Sequence, residues 1–188
     1  MKTRIIVFLM ALLCCHCFSF AQKEFVSQST RLGGHPRILL QKGEEKALKK
    51  VIMKDAIWKD IHQSLLDEAE DIVKLPLNER IKTGKRLLSV SRENLRRIFI
   101  LSYAYRMSGK SEFLKRAENE MLKAASFSDW NPSHFLDVGE MTMALAIGYD
   151  WLYPQLSAQT KTVIEKAIVE KGLKPSFDER YNWFVNAV

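Results

Sequence analysis

Apolar residues in the central part of this chain recur at three- and four-residue intervals, and the elements they predict are helices. Between Gly43 and Lys74 the positions Leu48, Val51 and Ile52, then Ile57, Trp58, Ile61, Leu65, Ala69 and Ile72, form apolar stripes. That spacing predicts amphipathic helices stopped before Pro76. Leu75 to Val90 is mixed, contains Gly84 and reads as a connector. A different kind of segment opens at Ser91, the expected N-cap, and carries Ile98, Phe99, Ile100, Leu101, Tyr103, Ala104 and Tyr105. It is apolar on nearly every side, the pattern of a buried helix, and Ser108-Gly109 ends it. Ser111 to Ala125 is amphipathic again, with Phe113, Leu114, Ala117, Met121 and Ala124 on one face. After the break Ser128-Asp129-Trp130-Asn131-Pro132, the run from Phe135 to Leu152 is apolar almost all round, and Pro154 closes it. Ser157 then caps an amphipathic helix with Val163, Ile164, Ala167 and Ile168 on one face, ending at Lys171-Gly172 ahead of Pro175.

Buried and amphipathic helices in alternation describe hairpins laid down in two layers. The two buried helices start near Ser91 and near His134 to Asp137, about 45 residues apart, and a third is expected near Tyr181. An open helical solenoid and a ring of hairpins closed on itself, the α/α toroid, both place inner buried helices against outer amphipathic ones. Six hairpins at this period need about 270 residues. The expected fold is therefore all-α, a partial α/α toroid with an incomplete ring. No strand run, Gly-rich phosphate loop or low-complexity tract competes with it.

The first residues add a compartment. Lys2 and Arg4, the apolar run Ile5 to Leu13, and Ser19-Phe20-Ala21 make the pattern of a secretory signal with cleavage after residue 21. The apolar run is shorter than the roughly 18 residues a spanning helix needs, so no membrane contact is expected after cleavage. Residues 1–21 are read as the leader, 22–42 as an extended N-terminal segment and 43–188 as the hairpin region. All three cysteines (Cys14, Cys15 and Cys17) fall in the leader, and the residues before them are not the small residue a lipid-attachment site prefers. An exported chain without cysteine relies on its core, and the remaining 167 residues suffice to build one.

The full chain carries +7, and loss of Lys2 and Arg4 leaves 27 cations against 22 acids, or +5. Lys49, Lys50, Arg96, Arg97, Lys115 and Arg116 are scattered over several helices, which reads as a solvated face and not as a nucleic-acid stripe. No P-loop, nucleophile elbow or His-Glu zinc motif occurs, and neither a metal nor a cofactor is expected.

Candidate chemistry concentrates in the loop Trp130-Asn131-Pro132-Ser133-His134 and the helix after it. Asp137 and Glu140 stand three apart with Ala144, Gly148 and Trp151 continuing their face, so two carboxylates overlie small residues that admit either a close helix or a ligand. One reading has Asp137 or Glu140 positioning a sugar hydroxyl and Trp130 offering a platform to a pyranose ring. The other has Asp137 favouring exposed amides in the first helical turn and Trp130 filling the loop. His134 is a candidate base without a second His at metal-ligand spacing. His35 and His62 have no obvious catalytic partner in the sequence. Asp150, between Tyr149 and Trp151, reads as a corner hydrogen bond or as part of a cleft.

The phrase His35-Pro36-Arg37-Ile38-Leu39-Leu40, the run Trp130 to Met141 and Tyr149-Asp150-Trp151-Leu152-Tyr153 together resemble the heparinase II/III-like polysaccharide lyases, most closely their N-terminal toroid domain. The resemblance spans roughly residues 35–188. It implies cleavage of uronate-containing polysaccharides by β-elimination, in which a base takes the proton beside the uronate carboxyl and an acid protonates the leaving oxygen. The carboxylate must first be neutralised, for which the family supplies Asn, His or Arg, with Tyr and His moving protons. Those groups and the family's β-domain are expected beyond Val188, so the chain reads as the N-terminal part of a lyase, inactive alone. The implied partner is an acidic polysaccharide, met by Trp130, His134, Asp137, Glu140, Tyr181 and Asn182. The competing class is an exported helical-repeat module that binds glycan or protein without chemistry. A glycosidase is disfavoured, since Asp137 and Glu140 on one helix do not face a sugar from opposite sides.

Overall fold

The computed structural model describes residues 34–181. The leader, the start of the extended segment, Asn182 and the expected third buried helix lie outside the described residues. Six α-helices are described: α1 (Glu45–Lys54), α2 (Ala56–Lys74), α3 (Leu88–Ser108), α4 (Ser111–Ser126), α5 (Phe135–Leu152) and α6 (Ala158–Ala167). Among the described residues there is no strand, only an isolated bridge between Thr83 and Arg86 around Gly84.

Local chemistry sets most boundaries. Asp55 alone separates α1 from α2, and its carboxylate accepts from the backbone N–H groups of Ile57 and Trp58. Gly109 ends α3 in the left-handed conformation at φ 76°, where its N–H reaches the Tyr105 carbonyl at 2.7 Å. Glycine adopts that backbone without a Cβ penalty. Ser157 caps α6 through a bond from the Thr160 N–H at 3.0 Å.

Two boundaries differ from expectation. Ser91 is not an N-cap, because α3 begins one turn earlier and Ser91 is buried inside it. The Leu87 N–H at this helix start is satisfied from another helix, by Asp137. The α6 segment is α-helical only to Ala167, then widens into a π-helical turn over Ile168–Leu173 and a short 3-10 turn over Lys174–Phe177. The widened turn carries Lys171 onto the carbonyls of Ala125 and Phe127 at the end of α4.

The layers follow from burial. Ten of 18 residues are buried in α5 and nine of 21 in α3, against six of 16 in α4 and three of ten in α6. The inner helices α3 and α5 therefore carry the core, with Ile98, Leu101, Met141, Leu145 and Leu152 fully buried. Each such side chain contributes about 1.5–3 kcal/mol by leaving water.

Contacts between layers fix direction. Down the α3–α5 seam, Leu87 meets Asp137, Arg92 meets Glu140 and Asn94 meets Met141, partners 50, 48 and 47 residues apart. Both indices rise together, so α3 and α5 run parallel. The outer helices are also parallel: Glu70 meets Lys110, Val73 meets Arg116, Glu118 meets Thr160 and Ala125 meets Lys171, at separations of 40 to 46 residues. Between layers the sense reverses, since His62 meets Tyr103 while Glu68 meets Arg96. Successive hairpins thus stack side by side at nearly one repeat length.

Gly148 shows how closely the seam packs. A Cβ placed there would come within 2.5 Å of Ile98 Cγ2 and 2.6 Å of Met121 Sδ. The small residue in the Asp137 to Trp151 stripe therefore admits a neighbouring helix and leaves no room for a ligand.

A charged knot ties the hairpins together. Glu120, fully buried, accepts from Arg97 Nη1 at 3.1 Å and Arg116 Nη2 at 2.6 Å. The same guanidinium groups donate to the carbonyls of Val73, Leu75 and Pro76 at the end of α2. Arg97 and Arg116 are consequently not on a solvated face, because the free carbonyls of a helix end draw them inward. Arg96 lies half-exposed between Glu68 and Glu93.

Candidate functional site

The loop before α5 turns on Asn131, whose φ of 60° lies in the left-handed region that asparagine tolerates. The turn directs its side chain inward, where Nδ2 donates to the Lys85 carbonyl at 2.8 Å and to Asp137 Oδ2 at 2.7 Å. Asp137, with no exposed surface, also accepts from the Leu87 N–H at 2.6 Å and pairs through Oδ1 with His134 Nδ1 at 2.7 Å. One carboxylate thus holds three segments: the start of α3, the loop and the start of α5.

Trp130 lies beneath this loop and is fully buried, with its indole N–H donating to the Ala124 carbonyl at 3.0 Å. Gly172 of the widened turn lies over its ring, close enough that a Cβ there would stand 3.1 Å from it. The expectation of a sugar platform at Trp130 is corrected here, because the side chain has no exposed surface. Asp137 likewise meets no ligand directly, its oxygens being occupied from within. His134 is less buried, with its side chain 30% exposed. Glu140 sits further along α5 toward the surface and pairs with Arg92 Nε at 3.0 and 3.2 Å.

Tyr181 comes to the same end of the molecule. With Ser128, Asp129, Pro132, Lys171 and Arg180 it lines a polar cleft of about 340 Å³. Burial alone would raise the Asp129 carboxyl, but Arg80, at 2.6 Å, and the Asn131 N–H overcome it and hold it below the usual range. Burial pushes the Lys171 ammonium down, partly offset by Asp129. Trp130, His134 and Asp137 therefore form the floor and rim of a knot, Tyr181 a wall of the adjoining cleft, and Glu140 a separate surface pair.

The remaining phrases singled out in the sequence meet each other. Asp150, near the end of α5, accepts from His35 Nδ1 at 2.6 Å and from the N–H groups of Arg37 and Ile38 at 2.8 and 3.0 Å. Trp151 Nε1 donates to the Ile38 carbonyl at 2.9 Å, and the His35 ring stacks on Tyr153 at 4.0 Å. Asp150 is thus neither a local corner nor a cleft residue. It clamps the N-terminal segment to the inner layer. Nearby, burial and then the Glu165 carboxylate push the Tyr149 hydroxyl well above the ordinary range.

Sequence reasoning left one cluster unused. Lys49, Lys59, His62 and Gln63 line a cleft of about 430 Å³ between α1 and α2. Lys59, His62 and Gln63 are spaced along one helical face, which the sequence displays. The approach of Lys49 depends on the sharp turn at Asp55, which it does not.

Among the described residues no group of three His, Cys, Asp or Glu side chains is placed to hold a metal ion. No described helix is long and apolar enough to cross a membrane. Fold and site together define a two-layer helical-hairpin protein with polar clefts at its loops and a clamped N-terminal segment. No family model matches the chain, and no curated protein matches it.

Proposed function

We propose that this chain is the N-terminal hairpin region of an exported polysaccharide lyase of the heparinase II/III-like type, its helices forming part of an α/α toroid. The observation that carries the reading is the parallel, in-register stacking of hairpins, with inner partners 47 to 50 residues apart. A ring of hairpins needs this geometry to line a central cleft with inner helices. The phrases that bear the resemblance support it too, since each is spent on architecture: one on the Asp137 knot, the others on the Asp150 clamp.

The reaction proposed for the whole enzyme is β-elimination from a uronate, which requires a neutralised carboxylate, a base and an acid at the glycosidic oxygen. In the described residues the His35–Asp150 and His134–Asp137 pairs are occupied in holding the fold. On this reading neither pair moves a proton to or from substrate, the proton-transferring groups belong to another part of the whole enzyme, and the chain alone is expected to be inactive. Its own contribution is to bind acidic polysaccharide, and no cofactor enters this reading. Export to the periplasm or the cell exterior belongs to the same proposal and rests on the pattern of residues 1–21. The occupied His–Asp pairs equally favour a second reading, an exported helical-repeat module that binds glycan or protein without chemistry.

The test mixes the purified chain with heparin, heparan sulfate and alginate, following the ultraviolet absorbance of the unsaturated uronate product and, separately, retardation in gels cast with each polysaccharide. Retardation by acidic but not neutral polymers, with no absorbance rise, is the expected result. Absence of retardation overturns the acidic-glycan reading. A rise in absorbance overturns the placement of the catalytic groups.

A further inference from the structure

The cleft between α1 and α2 collects positive charge without an acid to match it. Lys49 approaches from α1, while Lys59 and His62 approach from α2, and the lining contains no carboxylate. Among the described residues neither lysine has an ion-pair partner, unlike Lys74 and Lys110, which sit against Asp71 and Glu70. His62 is held by its Nδ1 at 2.8 Å from the Tyr103 hydroxyl of α3. A Tyr103 hydroxyl that donates to Nδ1 leaves the imidazole proton on Nε2, and the residue lines the cleft. Gln63 adds an amide to the wall, its Nε2 tethered to Asp67 at 2.8 Å. Trp58, half exposed, lies one helical turn before His62 on α2.

We propose that this cleft is a binding site for a carboxylate or sulfate group, held by the two lysine ammonium groups and the His62 Nε2–H. Two cations without acid partners and an imidazole line one partly enclosed volume of about 430 Å³, over the apolar side chains of Ile52 and Met53, and unmatched cations at a cleft are the elements of anion recognition. The tether to Tyr103 fixes the imidazole direction before a ligand arrives, which spares the ordering cost of a free side chain. Burial and the charge of Lys49 disfavour the His62 imidazolium, and an anion between them reverses that balance. Anion recognition stands on the cleft alone. That the anion belongs to a glycan rests on the proposed function.

The experiment follows the imidazole Hε1 resonances of the full chain by NMR, with the His62 signal assigned from a His62→Gln variant. Three probes are titrated: potassium sulfate, a heparin-derived hexasaccharide, and neutral maltohexaose. The expected result is a saturable His62 shift with sulfate and with the hexasaccharide, none with maltohexaose, and binding at least tenfold weaker in Lys49→Gln/Lys59→Gln. Both lysines are exposed, so the double variant is expected to keep the wild-type circular dichroism spectrum. Tighter binding of the hexasaccharide than of sulfate assigns the anion to a glycan. Equal binding supports the anion site while counting against the glycan reading. No saturable shift at His62 with either anion, or an equal shift in the double variant, overturns the inference. Either failure leaves the lyase reading to the absorbance and retardation assays.

Discussion

Replacing Asp137 by alanine separates a structural carboxylate from one that meets a ligand. The substitution leaves two inward-facing donors without an acceptor: the N–H of Leu87, a fully buried residue, and one hydrogen of the Asn131 amide, which keeps its bond to the Lys85 carbonyl. A buried donor left unsatisfied costs about 1–3 kcal/mol. The third partner, His134, has a side chain 30% exposed and turns to water at little cost. The loss expected is therefore about 2–6 kcal/mol. Asp137→Asn retains one oxygen on the side of Leu87 and Asn131 and offers an NH₂ group to His134 in its other tautomer. Its cost falls to about 1 kcal/mol, the value of charge assistance. Urea unfolding followed by far-ultraviolet circular dichroism reads both variants, and at a slope of about 2 kcal/mol per M the alanine midpoint is expected to fall by about 1–3 M. An alanine variant within 0.5 kcal/mol of wild type, or an asparagine variant as unstable as the alanine one, refutes the three-way knot.

Three further outcomes follow from the packing. Glu120→Ala leaves Arg116 with backbone carbonyls alone and Arg97 with Glu93, at 2.6 Å, as its remaining acid, and a loss of about 3 kcal/mol is expected in the same urea assay; a loss below 1 kcal/mol means that water reaches the knot. Gly148→Ala drives a methyl group against Ile98 and Met121, and overpacking of about 1–3 kcal/mol is expected to exceed the gain in helix propensity, so the melting temperature falls; an unchanged or raised value means that the seam is looser than described. The folded-state pKa of His62 is lowered by burial and by Lys49, with Lys59 on its own helix and Tyr103 on α3 as the other titratable groups facing it. The unfolded chain therefore binds the proton first, so stability decreases as pH falls through the ordinary histidine range of about 6.5. His62→Gln is expected to flatten that dependence between pH 7 and 5, and an unaltered slope assigns it to other groups.

The helices were legible because their signals are local. The apolar run of α5 is bounded by Pro132 and Pro154, and its limits, Phe135 and Leu152, match the expectation. The ordering of burial among α3 to α6 could likewise be read from how far round each helix the apolar residues extend. What could not be read was any assignment that depends on a second segment. Ser91 resembles a cap, but the helix start is stabilised by Asp137, 50 residues from Leu87. Arg97 and Arg116 look like surface cations until the end of α2 supplies carbonyls for them. Trp130 in a polar loop suggests exposure, and only the return of the chain at Gly172 buries it. His35 and Asp150 each lacked a partner in sequence because each is the other's.

The Asp150 clamp has a consequence for the order in which the chain takes shape. Its two halves are separated by 115 residues, whereas the hairpin contacts around it span 40 to 50. A chain leaving the ribosome can pair α2 with α3, and then α3 with α5, as each appears. The segment from His35 to Leu40, synthesised before any of them, has its principal acceptor only when the last turn of α5 is in place. The earliest part of the unit is thus among the last to settle, and its docking marks a chain that has already assembled its inner layer.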